Sequence, residues 1–119
     1  MTKVLFVDDE QFILNSYKRI FRDEMPAENL SYAISAEDAL IIIPEFKPDI
    51  VLTDNNMLGM TGYELLKKIK ENYPSIRRVL TSGRDIQHLK GDIAEKLVDK
   101  PADKDQLIAI IRELSQKPL

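Results

Sequence analysis

The 119-residue sequence carries 17 Lys and Arg against 20 Asp and Glu, a formal net charge of −3, so it lacks the clustered cationic excess that nucleic-acid phosphates require and direct nucleic-acid binding is not expected. At 44% hydrophobic and 31% charged, it is long enough for one core and too short for two ordinary domains, which reads as a single domain over 1–119. Cysteine is absent, excluding disulfides and thiolate chemistry, and the apolar start Val4-Leu5-Phe6-Val7 is too short for a signal-peptide core or a membrane span, so a cytoplasmic location is expected.

Val4 to Val7 reads as a buried strand running into Asp8-Asp9-Glu10. Ile13, Tyr17, Ile20 and Phe21 then form a helical stripe, with Phe12, Tyr17 and Phe21 expected to pack. Leu30 to Ile34 is a less hydrophobic strand that suits an edge, and Ala36 to Ile43 a short helix with Ser35 as cap and Pro44 as stop. Ile50 to Thr53 is a second buried strand, ending at Asp54.

Leu65, Leu66, Ile69 and Tyr73 mark the next helix, and Val79 to Thr81 the strand after it. Gly83 to Lys96 is broken by Asp85, Gly91 and Asp92 and predicts a short or irregular fourth helix. Leu97-Val98 is a weak fifth strand before Lys100; Leu107, Ile110, Ile111 and Leu114 form the last stripe, and 116–119 is linker-like. Arg77-Arg78 and Lys67-Lys68 read as solvated faces, His88 as an inert surface residue, and Met57 and Met60 as packing for the loop after Asp54.

Strand and helix alternate, which argues for right-handed βαβ units and an α/β fold with helices on both faces of a parallel sheet. Ligands of such sheets bind beyond the carboxyl ends of the strands. Those ends hold Asp8 and Asp9, Asp54, Thr81 and Ser82, and Lys100, so three carboxylates, a hydroxyl and an ammonium would converge, with Asp54 at a polar rim. Carboxylates about 5 Å apart repel by roughly 3 kcal/mol per pair at an effective dielectric near 20, so the cluster calls for a cation, and Mg²⁺ suits hard carboxylate oxygens. Singly, each piece has a blander reading: Asp8-Asp9-Glu10 as helix-capping acids, Asp54-Asn55-Asn56 as a polar turn, Lys100 as a surface lysine. Their placement at matched strand ends favours the site.

The acidic pair after Val-Leu-Phe-Val, the run Pro48-Asp49-Ile50-Val51-Leu52-Thr53-Asp54, Met57-Leu58-Gly59-Met60-Thr61-Gly62, the hydroxyl after the fourth strand and Lys100-Pro101 together resemble the receiver domain of two-component response regulators over nearly the whole chain. The resemblance implies a flavodoxin-like five-stranded sheet of order 2-1-3-4-5 and a phosphoacceptor at Asp54. It further implies Mg²⁺ held by Asp9 directly, by Asp8 through water, by Asp54 and by the backbone carbonyl of Asn56. Lys100 would pair with a phosphoryl oxygen and Ser82, or alternatively Thr81, would bond another. A cis Lys100-Pro101 bond, a histidine kinase or histidine phosphotransfer protein as donor, and a linked or separate effector as output complete the expectation, and Asn56 and Arg84 flank the site where access of water would be controlled.

Leu58 stands where receivers usually have Pro, Leu97 where they commonly have Tyr or Phe, and the stretch from Ser82 to Lys100 is short. These departures favour, as the main rival, a receiver-like interaction module that works without phosphorylation. An Asp-dependent phosphohydrolase would want Asp where Glu10 stands, and a flavin carrier would want a phosphate loop where Asp8-Asp9-Glu10 would repel one.

Overall fold

The computed structural model describes residues 2–83 and 93–116. The expectations for Arg84, Asp85, His88, Gly91 and Asp92, and for most of the fourth helix, lie outside the described residues.

Five parallel strands form one sheet in the order β2-β1-β3-β4-β5. They are β1 (Val4–Val7), β2 (Leu30–Ala33), β3 (Ile50–Asp54), β4 (Arg77–Ser82) and β5 (Lys96–Asp99). The helices α1 (Gln11–Phe21), α2 (Ala36–Phe46), α3 (Gly62–Asn72) and α4 (Lys104–Gln116) complete the fold among the described residues, with a 3₁₀ turn at Ala27–Asn29.

Alternation along the strands explains the layering. Val4 and Phe6 of β1, Ile50 and Leu52 of β3, Val79 and Val98 face Leu14, Tyr17 and Phe21 of α1 and Leu107, Ile111 and Leu114 of α4. Leu5, Val7, Val51 and Leu80 point the other way, onto Ala36, Ala39 and Ile43 of α2 and Leu65, Leu66 and Ile69 of α3. Because both faces are covered, β1 and β3 are buried at every residue and read as unbroken apolar runs. The less hydrophobic β2 lies at one edge, as its composition predicts.

Three local expectations are corrected. Pro44 lies inside α2 rather than ending it. Its fixed φ suits a helix, and the helix closes three residues later when Lys47, left-handed at φ 54°, donates its amide to the Ile43 carbonyl at 2.9 Å. Arg77 and Arg78 are buried members of β4, not a solvated face. Arg78 donates from Nε to the Ile93 carbonyl and from Nη1 to the Ile76 carbonyl, both at 2.7 Å, while Arg77 Nη1 pairs with Glu95 Oε2 at 2.9 Å. Phe12 is exposed, so of the three aromatics only Tyr17 and Phe21 pack, around Phe6 at ring distances of 4.9 and 5.2 Å.

Candidate functional site

The register brings the strand ends level. Val7 lies beside Thr53 and Asp54 beside Thr81. Ser82 lies beside Asp99, and the Lys100 amide donates to the Ser82 carbonyl at 2.9 Å. Asp8, Asp54, Thr81, Ser82 and Lys100 are thus delivered to one sheet edge by pairing alone. The Lys100-Pro101 peptide is cis.

The loop from β3 to α3 is shaped by two glycines. Gly59 sits at φ 77°, a conformation that side chains resist. Gly62 begins α3 against the Asp54 carbonyl and the Asn55 Cα, where any Cβ would collide with backbone. Asn55 completes the seam, since its side-chain oxygen accepts from the Tyr63 amide at 2.9 Å and its carbonyl from the Gly62 amide at 3.2 Å. A capping box closes α3, with Thr61 Oγ1 accepting from the Glu64 amide and Glu64 Oε1 from the Thr61 amide.

Lys100 lies at the centre of the site. Its Nζ donates to Asp8 Oδ2 at 2.8 Å and stands 3.3 Å from Asp54 Oδ1. The second contact is an ion pair whose angle is not that of a hydrogen bond, so Asp54 Oδ1 is buried with no hydrogen-bond donor. Asp8 is 0% and Asp54 3% exposed, so Asp54 is covered rather than placed at an open rim. Burial pushes the Asp54 carboxyl above the usual range, and Lys100 draws it part of the way back. For Lys100, burial acts to lower the pKa, but the bond and charge of Asp8, with the charge of Asp54, outweigh it and hold the ammonium above its ordinary value.

The acidic turn after β1 does not serve as a cap. Glu10 is the N-cap of α1 without a side-chain bond, and α1 has no acid in its first turn. Asp8 Oδ1 instead accepts from the Glu10 amide at 3.0 Å, and Asp9 Oδ2 accepts from the Leu58 amide at 3.4 Å, tying this turn to the loop after β3. Asp8, Asp9 and Glu10 each offer a carboxylate oxygen within 4.8 Å of the others. These three hard carboxylate donors fit a small divalent cation such as Mg²⁺, while Asp54, with its Oδ1 turned to Lys100, is not among the three grouped oxygens. Glu10 joins the acidic group although its place in the sequence marked it only as a first-turn acid.

The two hydroxyls at the end of β4 diverge, as neighbouring strand residues must. Ser82 Oγ accepts from Asn56 Nδ2 at 2.8 Å, on the side of the β3–α3 loop. Thr81 lies on the α1 side with Val79, against the hydroxyl of Tyr17. Tyr17 is pushed up to about 12 by burial, with Lys100, Asp8 and Asp54 all close enough to act on it. A tyrosine in the core stripe of α1 was the residue hardest to recognise; the signal was that a buried phenol must reach a polar partner. Met57 is buried and Met60 packs beside it, whereas Leu58 is 89% exposed.

The family described as the response regulator receiver domain matches residues 4–112. The chain is 30% identical over 119 residues to the uncharacterized transcriptional regulatory protein YesN of Bacillus subtilis, an alignment covering 96% of this chain and 32% of that protein. The first curated relatives it matches are longer, and the chain spans 23% to 50% of their length. Among solved structures, the signal receiver domain of an HD domain-containing protein from Pseudomonas fluorescens Pf-5 superposes with a TM-score of 0.89 at 25% identity, covering 97% of this chain and 94% of that one. A CheY-like response regulator receiver domain protein from Methanospirillum hungatei superposes with a TM-score of 0.88 at 26% identity, covering 98% and 95%. Among the described residues, no helix is long and apolar enough to cross a membrane.

Proposed function

Because the chain belongs to the response regulator receiver domain family and is a signalling switch of two-component systems, we propose that Asp54 is its phosphoacceptor, taking a phosphoryl group from a phosphohistidine on a kinase or histidine phosphotransfer protein. The observation that carries this reading is the Lys100 ammonium seated between Asp8 and a buried Asp54 whose Oδ1 has no hydrogen bond.

An Asp54 oxygen attacks phosphorus in line, forming the O–P bond as the P–N bond to the donor histidine breaks. Lys100 keeps Asp54 ionised against the effect of burial and then pairs with an oxygen of the transferred group. Ser82 donates its proton to another of those oxygens while its own Oγ accepts from Asn56, a polarity that one hydroxyl can satisfy at once. Asp9, Asp8, Asp54 and the Asn56 carbonyl would hold Mg²⁺, with Glu10 beside them, and the bound ion supplies charge neutralisation for the phosphoryl oxygens. The acyl phosphate adds three acceptor oxygens at the end of β4, which is where the change of shape begins. The exchange takes place in the cytoplasm, and an effector on the same chain or a separate one receives the signal.

The test is incubation with Mg²⁺ and acetyl phosphate, read as an intact-mass gain of one phosphoryl group. The wild type gains it, and Asp54→Asn keeps the fold by circular dichroism but gains nothing. A wild type that binds Mg²⁺ yet takes up no phosphoryl group, with beryllofluoride also without effect, sinks the reading in favour of an interaction module independent of phosphorylation.

A further inference from the structure

Tyr17 has no part in the reaction just described, yet Lys100, Asp8 and Asp54 all lie close enough to act on it. It is 5% exposed, and its ring stacks on Phe6 at 4.9 Å and 29°. Its hydroxyl meets the Thr81 side chain and lies within the field of Lys100, Asp8 and Asp54. Tyr17 and Lys100 also line one cavity of about 330 Å³, whose other walls are Ser16 and apolar residues such as Ile13, Pro101 and Leu107.

Two neighbouring facts make this arrangement incomplete in the resting molecule. Thr81 Oγ1 is wholly buried and has no hydrogen bond of acceptable geometry, although the Tyr17 hydroxyl is against it. An ammonium has three protons to place; Asp8 Oδ2 takes one, and Asp54 Oδ1 stands at ion-pair distance without the angle of a hydrogen bond. Leaving buried polar groups short of partners is costly, and a phenol that both donates and accepts can serve either neighbour.

We propose that Tyr17 is a positioning residue for the reaction at Asp54: its hydroxyl, with Thr81, sets where the Lys100 ammonium rests and follows it when it turns from Asp8 to the transferred phosphoryl group. The proposal rests on the assignment of Asp54 as phosphoacceptor. It gives the two hydroxyls of β4 separate tasks, Ser82 toward the phosphoryl oxygens and Thr81 toward Tyr17. It also supplies the site with an aromatic from α1, where Leu97 of β5 supplies none. The phenol acts in its neutral form throughout, since its proton is held to about pH 12.

The test compares Tyr17→Phe with Tyr17→Leu. Phe keeps the stack on Phe6 and removes only the hydroxyl, whereas Leu removes both. The positioning role predicts that Tyr17→Phe retains the fold and Mg²⁺ affinity yet takes phosphoryl from acetyl phosphate roughly tenfold more slowly, the worth of one hydrogen bond to a charged group expressed as a rate. With 3-fluorotyrosine in place of the four tyrosines, the ¹⁹F resonance that Tyr17→Phe deletes shifts when Mg²⁺ and beryllofluoride are added, and stays still in Asp54→Asn. A Phe variant that matches the wild type in rate while the Leu variant fails assigns Tyr17 to packing alone and overturns the proposal. So does a Tyr17 resonance that ignores beryllofluoride in a wild type that is phosphorylated. A wild type that takes up no phosphoryl group overturns both this proposal and the assignment of Asp54, so the two failures are told apart.

Discussion

Replacing Lys100 by Met removes the charge and keeps most of the stem, and its cost can be reasoned from the site. At an effective dielectric near 20, a unit pair at 2.8 Å attracts by about 6 kcal/mol and one at 3.3 Å by about 5 kcal/mol, before the desolvation of the ammonium and both carboxylates is charged against them. What survives is governed by what the variant leaves behind, two carboxylates at 0% and 3% exposure without a cation. Removing one partner of such a buried pair costs about 3–5 kcal/mol, and that is the loss expected by urea unfolding at neutral pH.

The sign of the pH dependence is fixed by the same groups. In the wild type, the folded pKa of Lys100 is raised, so its contribution is complete below 10.5 and is lost as pH rises through the folded value. In the variant, Asp54 is left with its burial unopposed by Lys100, so its folded pKa stands further above 3.8. A carboxylate with a raised folded pKa binds its proton more tightly in the folded state, so the deficit shrinks as pH falls toward about 4. A loss below about 1 kcal/mol, or a deficit of the same size at pH about 4.5 and about 7.5, refutes the view that Lys100 compensates both carboxylates.

Gly62→Ala places a methyl against the backbone of Asp54 and Asn55, so it displaces the start of α3 rather than a flexible side chain. A loss of about 2 kcal/mol or more by urea unfolding is expected, together with slower phosphoryl uptake, because the displaced backbone is that of the proposed acceptor. Thr61→Ala removes the N-cap of α3 and is expected to cost about 1 kcal/mol. The bonds from Thr61 hold the Glu64 carboxyl below its usual range, so the advantage of wild type over Glu64→Ala is present above pH 4.5 and fades as pH falls through the lower folded value, as acid titration of the unfolding midpoint would record.

The order of elements was legible because β1 and β3 are covered on both faces and therefore announce themselves as apolar runs, whereas only Val79 and Leu80 mark β4. Asp54 and Lys100 were legible for a related reason, since a residue just past a buried strand in a parallel sheet is necessarily at the binding edge. What escaped depended on partners distant in sequence. Arg78 carries the signature of a surface charge, and bonds to the Ile93 carbonyl, fifteen residues on, and to that of Ile76 help to satisfy it as a buried residue. Phe12 continues an aromatic series by eye, yet Leu14 takes its place in the core because α1 turns that face inward. Thr81 and Ser82 are interchangeable in sequence, and the alternation of β4 separates them, one toward Tyr17 and one toward Asn56.

If Asp54 is the phosphoacceptor, a need for a divalent cation follows from Asp8 and not from the phosphoryl group alone. Conversion of the Asp54 carboxylate to an acyl phosphate replaces one negative charge by roughly 1.5 to 2, so the site becomes more negative by about half a charge to one charge. Lys100 is the ammonium beside Asp54 among the described residues, but Lys100 is also the hydrogen-bond donor to Asp8 Oδ2, and Asp8 has no exposure to water. If Lys100 turned to the phosphoryl oxygens unaided, Asp8 would be left ionised, buried and unpaired, at a cost of several kcal/mol. On the proposed reading, Lys100 would be free to move only when a second cation lies against the Asp8-Asp9-Glu10 oxygens, which lie within 4.8 Å of one another. Phosphoryl uptake is accordingly expected to stop when divalent ions are chelated and to return when Mg²⁺ is restored, whereas raising monovalent salt to the same ionic strength does not replace it. Uptake at an undiminished rate in excess chelator would mean that Asp8 finds its compensation elsewhere, and the account of Lys100 as a shared cation would fall with it.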